Sequence, residues 1–160
     1  MERFVTGASL IYGENLEEKE NHTLWIKDGE FFKIIPNSDI PSDKPITRLN
    51  GGFLFPGLID LHVHLMWDGS ANPVHTHEKE SYEQKLIRAV SNAHTYLKNG
   101  VTTVRDLGSI DDIALHVAEA INRNLIVGTR VIASGKTLTM TGGHDPFWGR
   151  FVDGKDEALK

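Results

Sequence analysis

The sequence contains no cysteine. That excludes a disulfide framework and thiolate ligation of zinc, so any transition metal must be held by His, Asp, Glu or a modified side chain. No stretch approaches the about 18 apolar residues needed to span a bilayer, and the N-terminal residues lack a basic start followed by a long apolar run. A membrane segment and a signal peptide are therefore not expected, and a cytoplasmic location is. Blocks of one charge are missing as well. The 17 Lys and Arg and 22 Asp and Glu residues are interspersed, for a net charge of -5, which disfavours nucleic acid or an anionic membrane surface as partner and leaves small-molecule chemistry open. What is present is the balance of a folded globular protein: 160 residues, 39% hydrophobic and 24% charged, enough to bury a core.

Residues 1–55 carry short, strand-like segments. The clearest runs from Thr23 to Ile35, two stretches rich in β-branched and aromatic residues around Asp28-Gly29. That pair suits a type I′ hairpin turn, in which both central residues need φ > 0. Residues 36–45 hold three prolines among polar residues and read as a surface loop before a strand at 46–55. From Pro56 the pattern alternates between strand and helix. Strands are expected at 58–65, 101–106 and 130–134. The helix expected at 82–99 places Leu86, Ile87, Val90, Ala93 and Leu97 at helical spacing, and one at 111–123 does the same for Ile113, Val117 and Ile121. Such a βαβαβ order pairs in parallel through right-handed crossovers, as at the start of a (β/α) barrel or of a doubly wound sheet. A complete (β/α)8 barrel takes about 250 residues. Only three strands stand before the helix-like stretch that reaches Lys160, so an opening portion is expected.

The chemistry concentrates in the first of these strands. From Leu58 to Leu65 the odd positions are aliphatic, while Asp60, His62 and His64 share the other face by the strand's two-residue period. Parallel strands are normally apolar on both faces, so three ionisable residues in a row cost desolvation unless something occupies the space between them. A divalent metal would offset that cost, with His62 and His64 as ligands and Asp60 orienting an imidazole. An isolated His-x-His is ordinarily a pair of hydrogen-bonded core histidines. Here its setting argues otherwise.

The stretch Gly52-Phe-Leu-Phe-Pro56-Gly57-Leu58-Ile59-Asp60-Leu61-His62-Val63-His64 closely resembles the signature that opens the barrel of the amidohydrolase superfamily. Gly100-Val-Thr-Thr-Val-Arg-Asp-Leu-Gly108 resembles its second barrel strand, and Ser134-Gly135 with Thr141-Gly142-Gly143-His144 resembles the imidazolonepropionase-like and prolidase-like branch. The resemblance implies an α/β fold: the N-terminal portion of a (β/α)8 TIM barrel at 56–160, preceded at 1–55 by a small β-domain that is part of a composite β-sandwich. It implies one or two divalent ions, usually zinc, and hydrolysis of amide, cyclic amide or Xaa-Pro dipeptide bonds. His62 and His64 would be metal ligands, Asp60 would support them and His144 would contact substrate. The bridging lysine, two further histidines and the aspartate that serves as general acid/base in such enzymes match no position in this sequence. The missing barrel portion, or a homo-oligomer partner, would then be needed.

Other residues have plainer roles open to them. Arg105 and Asp106 could line the barrel mouth, but a structural ion pair with a neighbour is the simpler expectation. His75 and His77 repeat the His-x-His spacing in a polar segment and are expected in a solvated loop. Trp67 and Asp68 follow the histidine strand directly and fit either the mouth or ordinary packing. His22, His94 and His116 are assigned no function. The competing reading of a different class is a non-catalytic remnant or interaction module. Another is one half of a split amidohydrolase completed by a second chain.

Overall fold

The structure, a computed structural model, describes residues 1–144 and 147–160. They form a mixed α/β protein of two units, Met1–Pro56 and Gly57–Lys160. The first unit is all β: β1 (Glu2–Thr6), β2 (Ser9–Tyr12), β3 (Glu17–Lys19), β4 (His22–Lys27), β5 (Glu30–Pro36), β6 (Ile46–Arg48) and β7 (Phe53–Leu54). They make two sheets, in the orders β5-β4-β1-β6 and β3-β2-β7. The hairpin forms where the Asp-Gly pair predicts it. Asp28 and Gly29 both have positive φ, 52° and 87°, so the turn follows the twist of β4 and β5. The strand expected at 46–55 is instead two short strands in different sheets, because Gly51 and Gly52 both take positive φ between them. The carboxamide oxygen of Asn37 accepts hydrogen bonds from the hydroxyls of Thr6 and Thr23, tying the proline-rich segment to the sheet.

The second unit opens with β8 (Leu58–Val63), then α1 (Pro73–Lys79), α2 (Tyr82–Lys98), β9 (Val101–Asp106), α3 (Ile113–Asn122) and β10 (Arg130–Ala133). Two short strands, β11 (Leu138–Thr139) and β12 (Arg150–Phe151), and a final turn of helix, α4 (Lys155–Ala158), follow. β8, β9 and β10 lie in parallel in the order β10-β9-β8, as the alternation of strand and helix requires. Ser81 and Gln84 close a reciprocal capping box at the start of α2, satisfying two of the donors a helix N-terminus leaves open. The buried stripe of α2 is Lys85, Ala89 and Ala93. Ile87, expected on that stripe, faces solvent. Val104 and Val131 from the sheet, Ala89 and Ala93 from α2, and Ile113 and Val117 from α3 share one core with Val63, Leu65 and Met66. No helix among the described residues is long and apolar enough to cross a membrane.

Candidate functional site

The core ends where the histidines begin, and β8 is not a uniform strand. Asp60 stands opposite Val104 of β9 while Val63 stands opposite Asp106. Three steps along β8 thus match two along β9, which is a bulge with one extra residue on the edge strand. The unbroken alternation that would set Asp60, His62 and His64 on one face is interrupted at this point. Of the aliphatic odd positions, Val63 and Leu65 are buried, whereas Ile59 is 63% and Leu61 61% exposed. The ring-orienting role expected for Asp60 meets a different contact: its carboxylate accepts the backbone N–H of His62 at 3.1 Å. Arg105 makes no ion pair with a neighbour among the described residues. Its Nε donates to the carbonyl of Leu61 at 2.8 Å, pairing a carbonyl within the bulge.

His62 and His64 come together with ring centroids 5.3 Å apart and planes at 79°. Two imidazoles that bind one tetrahedral ion through nitrogens at about 2 Å have centroids roughly 5 Å apart, so the spacing suits a shared ion. His62 is exposed and His64 half-buried. Nδ1 of His64 lies 3.0 Å from the carbonyl oxygen of Gly108. A carbonyl can only accept, so Nδ1 carries the proton and the lone pair of Nε2 is left available for a ligand. Among the described residues no group of three or more His, Cys, Asp or Glu side chains is placed to hold a metal ion. The two imidazoles fit part of a zinc site, which normally takes three or more protein ligands.

The turn beyond His64 is held from two sides. Asp106, the last residue of β9, is fully buried; its Oδ2 accepts the N–H of Leu65 at 2.8 Å and its Oδ1 that of Gly108 at 3.0 Å. It makes no salt bridge among the described residues, contrary to the ion pair expected of it. Burial pushes its carboxyl above the usual carboxylate range, while the two N–H donors and nearby His64 pull the other way. From the helix side, the Nδ2 of Asn92 donates to the carbonyls of Leu65 and Trp67, both at 2.8 Å. Nothing in the periodicity of α2 marks Asn92. A polar residue beside the buried stripe was the only available sign.

An aromatic cluster packs over this turn. The Trp148 ring meets His64 edge-on at 4.7 Å, and Trp67 packs against Trp148, His77 and Phe147 at 5.2, 5.4 and 6.3 Å. The sequence reading places His75 and His77 in a solvated loop; the structure puts both on α1, with His75 exposed and His77 only 5% exposed. Asn72-Pro73 is the overlooked signal, because the Asn72 carboxamide accepts the N–H of His75 and Pro73 takes the first helical position. Asp68 accepts hydrogen bonds from Thr76 and Ser70, which hold its carboxyl down to about 2.

His144 is exposed, and its carbonyl accepts the Thr139 hydroxyl at 2.7 Å. A tight turn precedes it. Gly142 has φ of 74°, and a Cβ on Gly143 would stand 2.7 Å from the Thr139 Oγ1. His144 thus lies four positions before Trp148, the residue that reaches His64. His22, His94 and His116 lie on β4, α2 and α3, and His116 Nδ1 shares a hydrogen bond of 2.9 Å with the Tyr82 hydroxyl.

The chain is similar to an ochratoxinase from Aspergillus niger, 38% identical over 147 residues that make up 86% of this chain and 29% of that protein. It is similar to an imidazolonepropionase from Klebsiella pneumoniae subsp. pneumoniae, 31% identical over 60% of this chain and 23% of that one. Among solved structures, a Xaa-Pro dipeptidase with bound methionine in its active site superposes with a TM-score of 0.80 at 29% identity, over 98% of this chain and 39% of the dipeptidase. The chain therefore spans about a quarter of the length of the two enzymes matched by sequence and about two-fifths of the dipeptidase. With the model of the amidohydrolase family matching residues 53–160, two-thirds of the sequence, the chain belongs to that family.

Proposed function

We propose that these residues are the opening part of a metal-dependent hydrolase of carbon–nitrogen bonds, acting on an amide, a cyclic amide or an Xaa-Pro dipeptide. The single observation that carries the proposal is the His62 and His64 pair, with rings 5.3 Å apart and one ring fixed with its Nε2 available. On this reading β8, β9 and β10 are the first strands of a (β/α)8 barrel, and residues 1–55 belong to a small β-domain that precedes it in sequence. His62 and His64 would hold a divalent ion, with zinc the expected metal. When bound, such an ion lowers the pKa of water and polarises a carbonyl. The chain's own residues orient: Gly108 fixes the His64 tautomer, Asp60 and Arg105 brace the bulge that carries His62, and Trp148 screens one edge of His64 from water. His144 would contact substrate.

The lack of a third donor among the described residues supports a corollary. These 160 residues alone bind the ion weakly and do not turn over substrate. Further ligands and a general acid/base must come from more of the protein or from a second chain, as in a split enzyme. The test is to titrate the chain with Zn2+ and to assay it against dipeptides and cyclic amides. Weak binding that is lost in His62→Ala and in His64→Ala, without turnover, is expected. Zn2+ binding that survives both substitutions, or turnover that persists through repurification, would refute the proposal. In a protein that completes the site, His144→Ala should raise KM or lower kcat with metal content intact.

A further inference from the structure

A closed circuit of hydrogen bonds runs through Asp106 and returns to His64. The carboxylate takes the N–H of Leu65 on one oxygen, at 2.8 Å, and the N–H of Gly108 on the other, at 3.0 Å. The carbonyl of that same Gly108 takes the Nδ1–H of His64 at 3.0 Å, and His64 is bonded covalently to Leu65. Ring and backbone of one histidine are thus referred to a single carboxylate, one on each oxygen. Both arms of the carboxylate are charge-assisted, and the group is sealed from water. A carboxylate that only stitched β8 to β9 would need just the Leu65 arm. The second arm anchors Gly108 through its N–H, next to the peptide whose carbonyl selects the tautomer of His64; that following peptide is held in turn by its own Ser109 N–H, which donates to the Gly135 carbonyl at 3.0 Å.

We infer that Asp106 is a positioning residue for His64: it holds the Gly108 carbonyl where it keeps the proton on Nδ1 and aims Nε2 outward as the donor. The inference that this donor serves a metal rests on the function proposed above; the inference that Asp106 sets the tautomer does not. Arg105, its neighbour in sequence, acts on the Leu61 carbonyl instead, so the two residues brace the two halves of the histidine segment separately. Loss of a partner that orients a metal-binding histidine typically weakens metal affinity about 10- to 100-fold.

The test uses the full chain labelled with 15N in its histidine side chains. In the wild type, nitrogen shifts of the neutral His64 ring should report the Nδ1–H form. Asp106→Asn keeps one accepting oxygen but presents an NH2 group to one of the two N–H donors. It should therefore release Gly108 or Leu65 and move His64 toward the Nε2–H form that free imidazole prefers. Zn2+ affinity should fall about 10- to 100-fold, with the His62 ring signals unmoved. Asp106→Glu, which retains both oxygens, should restore part of each effect. A wild-type His64 in the Nε2–H form would overturn the inference without any variant, should Asp106→Asn fail to fold. So would a folded Asp106→Asn with unchanged tautomer and unchanged affinity. If instead His62→Ala and His64→Ala leave Zn2+ binding intact while Asp106→Asn still shifts the tautomer, the metal reading fails and the positioning role stands.

Discussion

Asn92 offers the sharpest perturbation of the histidine segment without touching it. Its side-chain amide donates two hydrogen bonds at 2.8 Å, to the carbonyls of Leu65 and Trp67, and Leu65 lies in the core. Each such bond contributes about 0.5–1.5 kcal/mol, and a buried carbonyl left unpaired adds its own desolvation cost. Asn92→Ala should therefore destabilise the second unit by about 2–3 kcal/mol. With a urea m-value of about 2 kcal/mol/M, the unfolding midpoint falls by about 1 M at unchanged slope. Asn92→Asp should be worse than Asn92→Ala at pH 7, because it turns carboxylate oxygens toward two carbonyl oxygens. The repulsion raises the pKa of the introduced acid in the folded state, so lowering the pH restores a donor and should narrow the gap. Amide exchange should quicken first from His64 to Trp67. A midpoint within about 0.2 M of wild type for Asn92→Ala, or an Asn92→Asp variant as stable as Asn92→Ala at pH 7, would show that the clamp does not hold this turn.

Burial, reinforced by the positive charge of Lys85, lowers the pKa of His77. The unfolded chain then binds more protons below about pH 6.5, so this contribution to stability is complete above that pH and is lost as pH falls toward the folded value; melts of wild type and His77→Phe between pH 7.5 and 5 should diverge, and parallel curves would contradict it. A Cβ on Gly57 would stand 2.2 Å from Thr102 side-chain atoms and 2.7 Å from its Cβ, so Gly57→Ala should cost about 1–3 kcal/mol by overpacking. In a Thr102→Gly background that cost should shrink, and a double-mutant cycle with no coupling would place the strain elsewhere. β8 and β10 are both sheet edges carrying exposed Ile59, Leu61 and Ile132, so the chain should self-associate as concentration rises; a single monomeric species in sedimentation velocity at all concentrations would refute this.

Much of this was legible in the sequence because it depends on local rules. The Asp28-Gly29 turn, β9 and the starts and ends of α2 follow from backbone preference, period and capping. The site residues were legible by type but not by contact. Asp106 and Arg105 look like partners for opposite charges, yet each bonds to the backbone of the histidine segment, at Leu65 and Leu61, some forty positions away, through a pairing that no local pattern encodes. The bulge escaped for the same reason. An extra residue is visible only as a mismatch between two paired strands, and single-strand alternation assumes none. His77 was misplaced because polar composition outweighed Asn72-Pro73 as a helix start, and its burial depends on Trp67 and Phe147 folding over it.

The two histidines are not equivalent, and the difference bears on how an ion would be taken up. His64 is set by its Gly108 acceptor, by the edge contact with Trp148 and by the Asp106 circuit through its backbone. His62 is exposed; Asp60 on the edge strand takes its backbone N–H, and its ring meets the His64 ring edge-on. On the metal-binding proposal the entropic cost of ordering therefore falls mostly on His62, whose ring must settle as the ion arrives, while His64 offers a formed donor. Groups that cover β8 would lower that cost by restricting His62 before binding, so affinity should rise with coverage of this edge even apart from any ligand the covering residues supply. Adding back a segment that pairs with β8 but lacks ligands of its own separates the two contributions. Tighter Zn2+ binding with His62 newly ordered is the expected result, and unchanged affinity with a covered edge would assign the whole gain in the completed site to added ligands.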